Sequence, residues 1–408
     1  MKILQVNKFL YPKGGADKYF LDLTESLKAA GHETAVFAMA GAKNLKSPYQ
    51  KYFVSPVEFN DGGLKDKLKI PGRMIYSLEA KKKFGRELND FKPDIIHCHN
   101  IYHQISPSIL EVASKRNIPV IMHLHDYKLI CPNYRLFTKG HICQECLNKK
   151  SYWPCLYNNC YESYPKSFLT ALEMTVHHKW LHIYEKNIDL LIAPSEFMRR
   201  LVIKSGWPKE KIITLYNPAP KVTASALPEK DYLLYFGRLT EEKGIKDLAQ
   251  AAKNIKHKLH IVGTGPEEAN LKKQFQAEIE DGLIIMPGRL EGQALKDEIA
   301  GAQIVIFPSL WPENMPLALL ESLANGKIVL ASRVGGLPEI IQDTENGFLF
   351  EAGNIRDLES KIKTILGLHA DESQRLKLAA IKSARALDPD EHLDKILKIY
   401  SKLAKKSG

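Results

Sequence analysis

Two glutamates eight residues apart, Glu313 and Glu321, are the residues of this sequence best placed to do chemistry. They lie in the segment 307–321, which begins at the end of an apolar strand and continues into a predicted helix. Asn314 is the predicted N-cap of that helix, and Pro316 is tolerated in its first turn. The free N–H groups of a helix N-terminus attract phosphate, and carboxylates accept hydrogen bonds from hydroxyls. The segment therefore predicts a site for an anionic ligand that carries hydroxyl groups.

Two basic residues, Arg238 and Lys243, follow another predicted strand, which ends at Gly237. Open parallel sheets bind their ligands at the carboxyl ends of the strands. Two fixed cations beside a bare glycine backbone suit a diphosphate. A surface turn with ordinary charges is the alternative explanation of this motif when it is taken alone.

Glycine turns follow three further predicted strands. Gly263 and Gly265 end one of them, and a Pro-Gly turn before Arg289 ends the next. Gly15 belongs to a Gly-Gly pair after the first strand of the chain. A glycine turn lets the backbone approach a flat ligand closely, although one Gly-x-Gly motif is weak evidence by itself.

Histidines occur where two strands of the first half end. His125 and Asp126 stand at the carboxyl end of one predicted strand, and His99 ends another. His97 shares a sheet face with His99, since strand residues alternate between faces, and is expected in the core. A capping aspartate beside a buried histidine is the alternative explanation of the pair His125 and Asp126.

Short apolar runs alternate with helical patterns along the whole chain, which indicates parallel sheets in doubly wound α/β domains. A proline-rich linker that begins at Asn217 separates two such series. We predict one Rossmann-like domain over residues 1–216 and a second over 217–389. The last helix, over 390–408, is expected to pack back on the first domain.

The net charge of +11 belongs to the first half of the chain. Residues 1–216 hold 32 lysines and arginines against 20 acidic residues, and the remainder holds 26 against 27. The densest part is a predicted basic helix over residues 64–91. A solvated helix face explains one charge run, but a whole half of one sign favours an anionic partner such as a membrane surface, a lipid phosphate or nucleic acid. Because no signal peptide or membrane-spanning run is visible, we expect a cytoplasmic protein.

A cysteine-rich loop over residues 131–160 interrupts the first half. A Cys-x2-Cys pair with two further cysteines is typical of a tetrahedral structural zinc site, which would hold a long loop in place. Reduced thiols packed in the loop are the alternative, and Cys155 is the alternate ligand. The preferred zinc ligands are Cys131, Cys143, Cys146 and Cys160.

Four motifs follow one another over residues 232–350: Gly-Arg…Glu-Lys-Gly, Gly-x-Gly-Pro, Phe-Pro-Ser…Glu-x7-Glu and Gly-Gly-x-Pro-Glu. In this order and spacing they resemble the family 4 glycosyltransferases, which have the GT-B fold. The similarity covers most of the chain, and Glu313 with Glu321 is its most specific part. The resemblance implies two Rossmann-like domains that face each other across a cleft. It also implies a retaining transferase of the hexosyl- or N-acetylhexosaminyl-transferring type that needs no metal for transfer.

The resemblance also implies a role for each candidate residue. Arg238 and Lys243 would bind the diphosphate of a nucleotide-diphosphate sugar donor and stabilise the leaving group. Glu313 would contact the hydroxyls of the donor sugar, and Glu321 the ribose. The acceptor side would hold His125, counted with the catalytic residues, together with Asp126 and His99. The other predicted donor-binding residues are Gly15, Gly237, Gly263, Gly265, Arg289, Asn314, Met315, Pro316 and Leu317.

The acceptor implied by the basic first domain is a lipid-linked sugar or a growing cell-surface polysaccharide, reached at an anionic membrane surface on the cytoplasmic side. Three alternatives stay open. A nucleic-acid-binding zinc protein would explain the basic half, but not the glycine turns of the second. A noncatalytic nucleotide-sugar-binding protein would retain the same pocket, and a sugar-nucleotide epimerase would use a similar fold.

Overall fold

The computed structural model describes residues 1–56, 71–222 and 228–405. Residues 64–70 of the predicted basic helix, and the last three residues of the predicted C-terminal helix, therefore lie outside the described residues. The strands of the first half are β1 (Lys2–Val6), β2 (Glu33–Phe37), β3 (Ile95–Cys98), β4 (Val120–His123), β5 (Phe137–Thr138), β6 (His141–Ile142), β7 (Leu190–Ala193) and β8 (Ile212–Thr214). Those of the second half are β9 (Leu233–Phe236), β10 (Leu259–Val262), β11 (Ile284–Gly288), β12 (Ile304–Phe307), β13 (Ile328–Ser332) and β14 (Phe348–Phe350).

Helices connect most of these strands. The α-helices of the first half are Gly15–Ala29, Leu78–Phe91, Ser108–Ser114, Glu145–Asn148, Pro154–Tyr157, Tyr164–Thr175, Ile183–Asn187 and Glu196–Lys204. Those of the second half are Ile245–Ile255, Glu268–Gln274, Gln276–Glu280, Gly292–Gly301, Leu317–Ala324, Leu337–Ile340, Ile355–Leu366, Ala370–Arg385 and Pro389–Ala404. Short 3₁₀ turns are Gln50–Tyr52, Lys209–Lys211 and Glu241–Lys243, and Val176–Trp180 is π-helical. Across the described ranges, no helix is both long enough and apolar enough to cross a membrane.

The first sheet is parallel, with the order β2-β1-β3-β4-β7-β8. β1 pairs with β2 on one side and with β3 on the other. The chain therefore adds β2 on one side of β1 and then adds β3 and the later strands on the other side. Connections that diverge in this way open a crevice at the carboxyl ends of the two central strands, where ligands of open α/β sheets bind.

The second sheet repeats this plan, with the order β11-β10-β9-β12-β13-β14. Alternate side chains of β9 enter separate cores: Leu234 and Phe236 belong to one apolar cluster, and Leu233 and Tyr235 to the other. All four side chains are buried. Helices therefore cover both faces of the sheet, and only its edges and strand ends remain for a ligand.

Contacts divide the chain into two compact units. Unit 1 comprises Met1–Leu136, Gln144–Leu215 and Asp390–Gly408, and unit 2 comprises Phe137–Cys143 and Tyr216–Pro389. The C-terminal helix reaches the first sheet through Tyr400, which is fully buried and bonds to residues of β1 and β3. The chain thus ends in the unit in which it began.

Two predicted elements differ from the structure. The basic helix predicted over residues 64–91 is interrupted at 76–77, and its second part is Leu78–Phe91, capped by the Ser77 side chain. The predicted cysteine-rich loop over residues 131–160 contains the β5–β6 hairpin and two short helices. The helical stretch that follows it is broken after Trp180, where His182 adopts the left-handed conformation.

A buried glutamate in unit 1 predicts a measurable dependence of stability on pH. Glu87 is 0% exposed, and neither carboxylate oxygen has a hydrogen-bond partner among the described residues. Burial raises the pKa of Glu87 to about 9. The unfolded chain releases this proton from about pH 4.5 upward and the folded chain does not, so the penalty grows with pH and reaches about 3 kcal/mol at pH 7. We expect Glu87→Gln to raise the unfolding temperature at pH 8 and to leave it nearly unchanged at pH 5.

The matched control for this experiment is Glu210→Gln, which removes the same charge from an exposed position of the same unit. It should leave the unfolding temperature unchanged at both pH values. A gain from Glu87→Gln that is equal at pH 5 and pH 8 would show that the carboxyl is ionised in the folded state, contrary to the prediction.

Candidate functional site

A lysine and a glutamate that the sequence analysis selects, Lys243 and Glu313, meet at the centre of the second sheet. β9 and β12 are neighbours, and the chain leaves them in opposite directions along the sheet. Lys243 follows β9 on the 3₁₀ turn Glu241–Lys243, and Glu313 follows β12. This is the crevice in which a doubly wound sheet binds its ligand.

Lys243 and Glu313 form an ion pair there. Lys243 Nζ lies 2.6 Å from Glu313 Oε1, and the Ser309 hydroxyl donates to the same oxygen over 2.6 Å. The ammonium also lies 5.3 Å from the centre of the Trp311 ring. Glu313 is 5% exposed and Ser309 is 1% exposed. Two charge-assisted bonds to one oxygen fix the carboxylate in one orientation and hold the cation beside it.

The backbone of Glu313 is fixed by the turn that follows β13. Gly336 N donates to Glu313 O over 2.7 Å. Gly335 has φ +61°, and a Cβ there would lie 2.1 Å from Glu313 O. Ser332 Oγ donates to Ser309 O over 2.6 Å. The Gly-Gly motif is therefore needed because two segments of backbone approach too closely for a side chain.

The predicted glycine turns line the neighbouring strand ends. A Cβ on Gly263 would lie 1.8 Å from Gly237 O, so these two turns are in direct backbone contact. Gly265 makes the same close approach to the backbone of the residue after Arg238. The side chains of Arg238 and Arg289 are exposed, and Arg289 pairs with Glu291 at 2.5 Å. The second sheet thus has a bare backbone and two exposed cations after the strands β9 and β11.

The helix after Glu313 begins later than the sequence predicts. It spans Leu317–Ala324 with Pro316 in the cap position, and Asn314 is not its N-cap. Pro316 has ψ 127°, which is extended, and the residue before a proline avoids the helical region. Asn314 and Met315 are buried instead. Glu321 therefore lies about one turn into the helix, and it is half-buried.

In unit 1 the glycine loop after β1 is fixed by a buried pair. Gly15 is the first residue of the helix Gly15–Ala29, and Gly14 caps that helix. Asn7, directly after β1, donates to Asp17 Oδ1 over 2.9 Å, and both side chains are buried. Burial raises the pKa of Asp17. This contact holds the helix N-terminus and its free N–H groups at the strand end.

Two of the predicted acceptor-side residues are in contact with each other. His99 Nδ1 lies 2.9 Å from His125 Nε2, and His99 Nε2 lies 2.8 Å from Gln5 Oε1. His99 is 0% exposed and both its nitrogens are bonded, so it supports His125 and does not itself reach a ligand. Half-buried His125 keeps the predicted position at the carboxyl end of β4.

The hydrogen bonds fix the tautomers of these rings. Gln5 Oε1 can only accept a hydrogen bond, so His99 carries its hydrogen on Nε2. His99 Nδ1 therefore accepts a hydrogen bond from His125 Nε2. Burial lowers the pKa of His125 to about 3, and it holds the pKa of His99 well below the usual range. His125 is therefore a neutral ring whose Nδ1 is an acceptor at physiological pH.

The far end of this network is the C-terminal helix. Gln5 Nε2 donates to Tyr400 OH over 3.3 Å, and Tyr400 OH lies 2.6 Å from His97 Nδ1. Tyr400 is 0% exposed, as is His97. A residue 275 positions after His125 in the sequence thus orients the glutamine that sets the histidine tautomers.

Asp126 is part of a local turn. Its Oδ1 accepts from Lys128 N over 2.9 Å, a hydrogen bond that an aspartate makes to the residue two positions on. Burial raises the pKa of Asp126. Oδ1 thus closes a local turn, and the role of Asp126 on the acceptor side stays a prediction.

The predicted zinc ligands are described in full, but no metal site emerges from them. Within residues 1–56, 71–222 and 228–405, no group of three or more His, Cys, Asp or Glu side chains is arranged to hold a metal. The buried cysteines that cluster are Cys146, Cys155 and Cys160, and this group includes the alternate Cys155. Cys131 Sγ donates to Asn133 Oδ1 over 2.9 Å. The zinc set stays a prediction, which metal analysis of the purified protein tests.

Sequence reasoning missed the residues that position the site. Ser309 is in the motif that was singled out, and its place four residues before Glu313 is a usable signal. Gln5 and Tyr400 have none, because the contact joins residues 395 positions apart. Residue types mark the groups that bind ligands, whereas the supporting groups are defined only by the fold.

Both halves of the chain match models of known protein families. The model described as Glycosyltransferase Family 4 matches residues 13–220, and the model described as Glycosyl transferases group 1 matches residues 222–384. An uncharacterized 42.6 kDa protein in the cps region of Klebsiella pneumoniae is 27% identical over 378 residues, which cover 88% of this chain and 92% of that protein. The N,N'-diacetylbacillosaminyl-diphospho-undecaprenol alpha-1,3-N-acetylgalactosaminyltransferase of Campylobacter jejuni is 27% identical over 252 residues, or 58% of this chain and 64% of that enzyme.

Solved structures are similar over nearly the whole chain. The structure of HepE from Anabaena in complex with UDP and glucose has a TM-score of 0.68 and 18% identity, and the match covers 98% of this chain and 100% of HepE. At that identity the similarity establishes the fold. Together with the two parallel sheets, it confirms the predicted GT-B fold class.

Proposed function

The chain belongs to glycosyltransferase family 4, and from this premise we propose that it moves a hexosyl or N-acetylhexosaminyl group from a nucleotide-diphosphate sugar to a lipid-linked or polysaccharide acceptor, with retention of configuration. The observation that carries the proposal is the ion pair of Lys243 and Glu313 at the centre of the second sheet. It combines a cation for a leaving phosphate with a carboxylate for a sugar hydroxyl.

The chemistry of the transfer explains why both groups are needed. Breaking the bond between the sugar and the diphosphate builds positive charge on the sugar and negative charge on the leaving group. Lys243 and Arg238 stabilise the leaving diphosphate, because fixed cations need no reorganisation during the reaction. Glu313, held by Ser309, accepts from the sugar hydroxyls and favours the positive sugar. Glu321 takes the ribose hydroxyls, and neither carboxylate acts as a base on water.

The remaining predicted donor residues shape this pocket. Asn314, Met315 and Pro316 form the extended segment before the helix, and Leu317 begins it. Asn217 Nδ2 donates to Met315 O over 2.9 Å and so holds the segment. The backbone at Gly237, Gly263 and Gly265 admits the flat base, with Arg289 beside it. Gly15 supplies the equivalent glycine loop of unit 1.

On the acceptor side, His125 is the proposed contact. Its neutral ring offers Nδ1 as an acceptor for a hydroxyl proton, and the network through His99 and Gln5 keeps this tautomer. Asp126, whose Oδ1 is bound to the backbone of Lys128, orients the turn beside it. A neutral acceptor suits a sugar hydroxyl, whereas an imidazolium would repel the developing positive charge.

Relatives support the choice of substrates. The Campylobacter enzyme is named for a diphospho-undecaprenol acceptor and for transfer of N-acetylgalactosamine, and HepE binds UDP and glucose. We therefore infer a uridine diphosphate sugar and a lipid-linked acceptor. The excess of basic residues in residues 1–216 supports a peripheral position on the anionic cytoplasmic face of the membrane.

The test begins with the donor. We expect UDP and UDP-sugars, screened one by one, to raise the unfolding temperature of the chain, while uridine does not, because the cations act on the diphosphate. A ligand at a hundred times its dissociation constant stabilises by about 2.7 kcal/mol. The stabilising UDP-sugar is then incubated with a polyprenyl-diphosphate sugar, and the anomeric configuration of the product is read by NMR.

Two outcomes contradict parts of the proposal. An inverted product would exclude retention. A chain that is stabilised by a UDP-sugar and yet transfers to no acceptor of either class would be the noncatalytic nucleotide-sugar-binding protein.

A further inference from the structure

One helix of unit 1 carries a row of apolar side chains on its outer surface. The helix Tyr164–Thr175 continues directly into the π-helical turn Val176–Trp180. Residues four apart form an inclined ridge along a helix, and one such series is apolar along its whole length. We call this series the aromatic ridge: Tyr164, Phe168, Leu172, Val176 and Trp180. Tyr164 is 63% exposed, Phe168 46% and Trp180 66%, and the two aliphatic members are half-buried.

The inner face of the same helix carries buried polar groups beside apolar Ala171 and Met174. Glu173 is buried and bonded at 2.9 Å to Lys128 Nζ and at 3.0 Å to His103 Nδ1. His177 Nε2 lies 2.6 Å from Ile75 O, and the ring is buried. Rotating the helix to hide the aromatic ridge would break a buried ion pair, which is strongly destabilising. The fold therefore holds the ridge outward.

Residues close to the aromatic ridge in the sequence add further aromatic rings and an excess of positive charge. Tyr157, 75% exposed, lies on the short helix that packs against this one, and the Trp153 ring lies 5.8 Å from that of Phe168. In residues 150–186, all of them described, Glu162 is the one exposed acidic side chain. The exposed cations of the same stretch are Lys150, Lys166, Lys179 and Lys186.

We propose that the aromatic ridge lies in the interface of an anionic lipid bilayer, with its helix parallel to the membrane plane. Tyrosine and tryptophan rings prefer the level of the lipid headgroups, and phenylalanine reaches the acyl chains below them. The surrounding lysines pair with anionic headgroups and place their stems along the apolar surface. The inference rests on the proposed membrane association of unit 1. It adds an apolar attachment point that the basic charge of residues 64–91 does not supply.

The test uses the full chain and vesicles of phosphatidylcholine with one-quarter phosphatidylglycerol. The variant Phe168→Ser/Trp180→Ser removes two ridge side chains. We expect it to bind these vesicles about 10- to 100-fold more weakly than the unaltered chain at 0.5 M salt, where electrostatic attraction is screened. The matched control is Leu378→Ser, which removes an exposed apolar side chain from unit 2 and should change nothing.

A second measurement does not depend on how well the double variant folds. Brominated acyl chains should quench part of the tryptophan fluorescence of the bound chain, and Trp180→Phe should reduce that part. Vesicle binding equal to that of the unaltered chain in the double variant, or quenching that is undiminished in Trp180→Phe, would overturn the proposal. So would self-association without lipid that the double variant abolishes, since a second copy would then cover the ridge. Stabilisation by UDP is measured in parallel, so failure of the donor site is seen separately.

Discussion

Replacing Lys243 with alanine is expected to lower kcat/KM for the nucleotide sugar by about a thousand-fold. The ammonium is the cation bonded to Glu313, at 2.6 Å. In the proposed mechanism it stabilises the charge that develops on the leaving diphosphate. Its loss removes that stabilisation and also leaves a carboxylate that is 5% exposed without its ion-pair partner. Steady-state kinetics measures the loss of kcat/KM. Calorimetry measures nucleotide binding: affinity for UDP should fall more than affinity for UMP, which lacks the leaving phosphate.

The control for this variant is Lys246→Ala, three residues further along the chain. Lys246 is exposed, so its removal changes the net charge of unit 2 by the same amount without touching Glu313. It should leave kcat/KM within about two-fold of the unaltered enzyme. Unchanged turnover in Lys243→Ala would remove this residue from the leaving-group role.

The two costs of losing Lys243 separate in a double variant. In Lys243→Met/Glu313→Gln a neutral amide replaces the carboxylate of residue 313, so no charge is buried without a partner. We expect the unfolding temperature to recover toward that of the unaltered chain, while transfer stays low. Recovery of the unfolding temperature would show that the unpaired carboxylate of Glu313 causes the destabilisation of the single variant.

The strands that position the site were predictable, because buried parallel strands are short apolar runs with few alternatives. β1, β3, β7, β10, β12 and β14 each coincide with one such short apolar run of the sequence. The residue types at their carboxyl ends followed from the same pattern. Lys243 and Glu313 could therefore be named, although not their direct pairing, since they were assigned to separate parts of the donor.

Local sequence was a poorer guide where tertiary contacts decide. Asn314 has the right type for an N-cap, but Pro316 keeps the residue before it extended and delays the helix. Phe168 has the type of a core residue, whereas the structure leaves it exposed and pairs Glu173 inside with Lys128. His99 has the type of a ligand-binding residue, yet Gln5 and His125 occupy both its nitrogens. In the first case a neighbouring proline overrides the expected cap, and in the other two a partner distant in sequence overrides the local pattern.

Glu313 carries the second large expectation. Glu313→Gln should lower kcat by about 100- to 1000-fold, because the neutral amide no longer favours positive charge on the sugar in the transition state. Gln keeps the side-chain length and an oxygen for Ser309 Oγ, so the pocket should keep its shape. The same change releases Lys243 from its ion pair and makes the ammonium fully available to phosphate. Affinity for UDP should therefore stay equal or rise while turnover falls, and calorimetry beside kinetics measures both quantities.

The companion variant Glu321→Gln separates the two carboxylates. If Glu321 holds the ribose, its replacement weakens the binding of donor and UDP alike, and it raises KM with little change in kcat. Glu313→Gln should show the opposite division, with kcat lowered and UDP binding kept. Should Glu313→Gln weaken UDP as much as it slows turnover, the carboxylate would belong to the nucleotide site, and its assignment to the sugar would be wrong.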